Sequence, residues 1–160
     1  MLFKQSMDGK LPITFTHWHT NNLGKVIPLK ERSAKECIRR ILRDIDKRRN
    51  VDPLNFGDRN FVRRYNAAMD RFKENAYYLC EHYPEQMDLF IELVNSNDFE
   101  TACHCAHLLY GMKNSTIEQK RLALSVVKRL VNHPDAPELT VFGMCANIRK
   151  WEAELAEQNS

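Results

Sequence analysis

The chain predicts an all-α protein, an antiparallel stack of helices led in by a short extended or β-hairpin segment. Three observations carry this. From Ser33 onward apolar residues recur at spacings of three and four, the period of a helix with one buried face. Breaks rich in Pro, Asn and Gly alternate with helix-start signals along the same stretch. Before Ser33 the period is two, as in a strand. The expected organisation is therefore a segment 1–30 and one helical domain, 31–160.

In the first segment Leu11, Ile13 and Phe15 alternate with Pro12, Thr14 and Thr16. Residues 20–24 are turn-rich, and 25–29 read as a returning strand. Pro12 and Pro28 confine both strands to edges, because proline donates nothing to a ladder. A lone hairpin is marginal in water, so this one needs helices or a partner to lie against.

The first helix opens on Ser33-Ala34-Lys35-Glu36, which has the form of a capping box. Ala34, Cys37, Ile38, Ile41, Leu42 and Ile45 form its apolar stripe. Arg39, Arg40, Arg43, Lys47, Arg48 and Arg49 line much of the rest. Residues 50–57, with Pro53, form a loop. A second helix spans 60–82, and Phe61, Tyr65, Ala68, Phe72, Ala76, Leu79 and Tyr83 recur along it at spacings of three and four. Pro84 opens a third helix through Val94, as proline suits a first helical position. Its inward residues are Met87, Phe90, Ile91 and Val94. Asn97 with Glu100 signals a fourth helix, 98–110, apolar almost all round and so central. Ser115 and Glu118 give a third capping signature for a helix through Val131. A last helix runs over 135–156, with Phe142, Cys145, Ile148 and Trp151 inward. Helices joined by short links pack as antiparallel neighbours.

Composition bounds the function. The chain has 160 residues, 43% apolar and 28% charged, enough for one domain with a real core. No apolar run approaches the roughly 18 residues that span a bilayer. The opening residues 1–10 lack a charged-then-apolar export signal, which leads to the expectation of a cytoplasmic protein. Five scattered cysteines read as reduced, buried thiols. Five glycines leave few tight catalytic turns. No Gly-rich phosphate loop, His-Glu-x-x-His pair or nucleophile elbow occurs, so no catalytic residue and no cofactor is expected.

Charge is strongly polarised. Residues 25–73 hold fifteen Lys/Arg against seven Asp/Glu, and residues 74–112 hold seven acids and no Lys or Arg. Separated charge of this size builds a field that selects partners. The acidic block reads as a protein-binding surface formed by Glu74, Glu81, Glu85, Asp88 and Glu92. Tyr77, Tyr78 and Tyr83 are its exposed aromatic anchors, since tyrosine is enriched at binding hot spots. Stacked helices serve chiefly as recognition scaffolds.

Residues 84–131 carry a further signal. Pro84-Glu85-Gln86-Met87 leads into Leu89-Phe90-Ile91-Glu92-Leu93-Val94, and after a polar break an Ala/Cys/Leu-rich helix follows, Thr101-Ala102-Cys103 through Ala106-His107-Leu108-Leu109. This stretch resembles one and a half HEAT-like repeat units, with Glu100 and Thr101 standing where those repeats carry a basic residue. It is similar to small bacterial helical-repeat proteins that include immunity proteins of polymorphic toxin systems. The resemblance implies an α-solenoid and a non-enzymatic module that neutralises a basic toxin through an acidic surface.

Two alternatives rest on other residues. The basic helix 32–49, with Arg59, Arg63, Arg64, Arg71 and Lys73, has the clustering of a phosphate-binding face. Glu36, Asp44 and Asp46 interrupt it, and no aromatic-and-basic platform or groove-reading motif appears. The second alternative is a metal-dependent enzyme at the histidines. Cys103 and His107 share a helical face, as do Glu100, His104 and His107, and in a strand His17 and His19 share one. Zinc sites bring ligand pairs from separate elements, and no second pair is evident, so the expectation is packing residues and no metal.

Overall fold

The computed structural model describes residues 18–20, 26–28 and 32–158. The chain forms two compact units, Met1–Ser33 and Ala34–Ser160. In the first, β1 (Trp18–Thr20) pairs antiparallel with β2 (Val26–Pro28), setting Trp18 opposite Pro28 and Thr20 opposite Val26. β2 falls within the expected strand 25–29. The expected strand over 11–16 lies outside the described residues.

The second unit is all-α, with six helices and no strand in residues 32–158. α1 (Ala34–Asp46) buries Ala34, Cys37, Ile41 and Ile45, as its period predicts. Leu42, expected inside, is 40% exposed, and Asp44 is fully buried in its stead. The reason is helical register: position 44 lies three beyond Ile41 and seven beyond Cys37, on the centre of the buried stripe, whereas 42 is on its flank. Glu36 turns to Arg39 and Arg40. Asn50 then takes a left-handed backbone at φ 50°, a conformation asparagine tolerates better than most residues.

Pro53–Gly57 is a 3₁₀ turn capped by Asp52, and Asp58 caps α2 (Arg59–His82) by accepting from the Asn60 amide at 2.8 Å. Ala68, Phe72, Asn75, Ala76, Tyr78 and Leu79 are buried along the later turns of α2. Phe61 and Tyr65, in the early turns, are only half-buried. The expected helix from Pro84 divides into a 3₁₀ turn, Pro84–Gln86, and α3 (Asp88–Val94). Proline occupies the first position of that turn, as expected.

α4 (Phe99–Gly111) is covered on nearly every side, as a helix apolar almost all round is expected to be. Its cap is Asp98 rather than Asn97: the Asp98 carboxylate accepts from the Thr101 amide at 2.9 Å. α5 (Ile117–Leu130) starts from a capping box one residue later than expected. Thr116 and Gln119 exchange the two bonds, and Ser115 donates instead to the Leu109 carbonyl. α6 (Glu138–Glu157) buries Met144, Trp151 and Leu155. Phe142, expected inward, is 78% exposed, because two residues, or about 200°, separate it from Met144 on the helix.

Neighbours in sequence are neighbours in space: α1 packs on α2, α3 on α4, α4 on α5, and α5 on α6. α4 sits at the centre, and α1 reaches across to α3 and α4. Phe72, Leu79, Phe90, Leu109, Val127 and Leu130 form the heart of the core. Among the described residues no helix is long and apolar enough to cross a membrane.

Candidate functional site

The eight residues expected to bind a partner lie along the second half of α2, the 84–86 turn and α3. Tyr77 is 44% exposed, and Glu81 is exposed one helical turn further on. Glu85, Asp88 and Glu92 are also exposed, the last two one turn apart on α3. Glu74 and Tyr83 are half-buried. Tyr78 does not belong with them: it is 7% exposed, with its ring 4.1 Å from that of His82. Tyr77 and Tyr78 differ by about 100° around α2, so one faces water and the other the core. Among the described residues no cation pairs with Glu81, Asp88 or Glu92.

The other two acids of the block are engaged inside the fold. Asp98 takes a bidentate pair from Arg49, at 2.8 and 2.7 Å, and accepts from the Thr101 hydroxyl at 2.6 Å. Arg49 above all, with Thr101, holds the Asp98 carboxyl well below the usual carboxylate range. This pair joins the basic block to the acidic one. Glu100 faces His104 at 3.4 Å, and that imidazole lowers its pKa.

Glu36, Asp44 and Asp46 are drawn to cations of the basic block. Glu36 binds Arg39 and Arg40 at 2.6–2.7 Å, and these guanidiniums, Arg39 first, hold its carboxyl at about 2. Buried Asp44 gathers Arg71 at 3.3 Å, Arg43 at 3.6 Å and Lys47 at 3.7 Å. The Arg48 guanidinium lies 3.8 Å from the centre of the Tyr65 ring and donates to the Tyr65 carbonyl at 3.2 Å. Phe56 meets Phe61 and Tyr65 edge-on at 5.5 and 5.2 Å. Beside these rings lies a groove of about 510 Å³ lined by Lys47, Phe61, Arg64, Tyr65, Ala67 and Arg71. The expectation that basic and aromatic residues form no common platform is thus corrected. The platform draws on both helices and the turn between them, so no single stretch of sequence displays it.

The histidine helix is a packing element. His107 donates Nδ1–H to the Cys103 carbonyl at 2.8 Å, and its ring centre is 5.2 Å from that of Trp151. Burial pushes its pKa down. Burial raises both neighbouring thiols, Cys103 to about 12 and Cys105 further still, so neither supplies thiolate near neutral pH. No three potential metal ligands gather among the described residues. His17 lies outside those residues, and of His19 only the backbone in β1 is described.

No family model, curated protein or solved structure matches this chain.

Proposed function

We propose that the chain is a non-enzymatic protein-interaction module, a HEAT-like stack of helices whose acidic side receives a basic protein. The observation that carries this reading is the set of exposed side chains Tyr77, Glu81, Glu85, Asp88 and Glu92 within a stretch that has no Lys or Arg. Carboxylates left to water in one block attract a cationic partner over distance and speed its encounter. Tyr77 supplies a rigid, amphipathic contact at modest entropic cost. Neutralisation of a basic toxin by an immunity protein is the particular case we favour. Such a protein works by covering its target, which requires a complementary surface and no reaction.

The test is a pull-down from the native cell, comparing the wild-type chain with a Glu81→Gln/Asp88→Asn/Glu92→Gln variant. The wild type is expected to retain a basic protein that the variant releases. With the purified partner, the variant's association rate should fall by about tenfold or more at low salt. Equal capture of the same proteins by both forms would sink the reading.

A further inference from the structure

The groove beside α1 and α2 makes no contribution to an acidic docking surface, yet it gathers three cations and two aromatic rings. Three of its six lining residues are cations, Lys47, Arg64 and Arg71. Lys47 and Arg71 share one acid, Asp44, which is buried beneath them. Arg64 has no acidic partner among the described residues. Among the described residues these three cations face one acid, Asp44, which Arg43 also reaches at 3.6 Å, so positive charge is in excess at this recess. Like charges held together cost free energy unless an anion joins them.

Asp44 does more than reduce that charge. Its carboxylate is fully buried, and one oxygen, Oδ2, accepts no hydrogen bond. A carboxylate so placed fixes the cations above it while leaving most of their donors for something else. The rest of the lining is largely aromatic. Phe61 and Tyr65 lie stacked at 5.9 Å, Phe56 braces both edge-on, and Arg48 covers Tyr65. Ala67, between Arg64 and Arg71 in the sequence of α2, completes the lining. The volume of about 510 Å³ falls within the range of small-ligand pockets, roughly 300–1,000 Å³.

We propose that this groove binds a nucleotide unit, its phosphate held by Lys47, Arg64 and Arg71 and its base lying against Phe61 and Tyr65. Cations beside aromatic faces are the combination by which single strands are held without duplex reading. The unit is supplied either by a free nucleotide or by a single-stranded nucleic acid, and both present the same phosphate and the same ring.

The experiment uses the full chain. A labelled oligothymidylate of about twelve nucleotides is titrated by fluorescence anisotropy at low salt. Thymidine monophosphate is titrated by calorimetry, and phosphatidylserine vesicles are tested by co-sedimentation. Binding of either nucleotide probe is expected, and which of the two binds identifies the source. In Lys47→Gln/Arg64→Gln the dissociation constant should rise by about tenfold or more, and for the strand the salt slope should shrink by about 1.4. Arg64→Lys should retain most of the affinity, and Lys113→Gln/Lys150→Gln, on exposed lysines outside the groove, should retain all of it. Unchanged melting temperatures exclude misfolding as the cause. The proposal is overturned if neither nucleotide probe binds, if only vesicles bind, or if the groove variant binds as tightly as the wild type.

Discussion

The groove side of α1 and α2 and the acidic side of α2 and α3 carry opposite charge, but they hold it differently. On the groove side the acids are engaged by cations: Asp44 is buried beneath Arg71 and Lys47, and further along α1 Glu36 is drawn into two guanidiniums. On the acidic side Glu81, Asp88 and Glu92 stand in water with no cation beside them among the described residues. The first arrangement can fix a ligand's geometry. The second creates a field and leaves geometry to the partner. Blocks of similar net charge and opposite sign therefore do not make equivalent surfaces.

The sharpest way to break this comparison is to remove the buried acid. Asp44→Ala should lower unfolding free energy by about 2 kcal/mol in urea titration. Removing one partner of a fully buried pair costs roughly 3–5 kcal/mol, and here the cations left behind still reach water. No loss of stability would show that Asp44 does not organise the groove.

A smaller effect is expected where the two blocks meet. Arg49→Gln should cost about 1 kcal/mol, since the pair with Asp98 is bidentate but partly exposed, and the cost should shrink in high salt. The same pair sets an acid limit. The Asp98 and Glu36 carboxyls are lowered in the folded state, so their stabilisation is present above the ordinary carboxylate pKa, about 4, and is lost as pH falls toward the folded values. Melting temperature should therefore drop between pH 5 and pH 3, and less steeply in Arg49→Gln. A pH-independent melting point over that interval would contradict the assignment.

The least effect is expected on the acidic side. Glu81→Gln/Asp88→Asn/Glu92→Gln should leave stability within about 0.5 kcal/mol, as solvated side chains do. Calorimetric melting checks this. A large change in either direction would place those carboxylates in the fold rather than at its surface.

Much of the architecture was legible in the order of residues. The helical period marked α1 through α6, and Pro84 and the polar breaks marked their ends. Cap positions slipped by a residue, because Ser115 and Thr116 both suit a cap and only the path of the chain selects between them. The candidate sites were less legible. Tyr77 and Tyr78 are alike in sequence, and only the packing of α2 sends one outward and the other inward. Asp44 looked like an interruption of a basic face and proved to be its buried anchor.

By itself the sequence determined what is local: helix-forming segments, their starts and stops, the central place of apolar α4, and the separation of charge along the chain. These follow from backbone hydrogen bonding and side-chain period, which act over a few residues. Tertiary structure decided which charges distant in sequence pair with one another. Arg49 meets Asp98 across 49 positions, and Lys47 lines one groove with Phe61 and Arg71 only once α1 and α2 lie together. Electrostatic and aromatic contacts depend on distance in space, and the packing of the helices sets that distance.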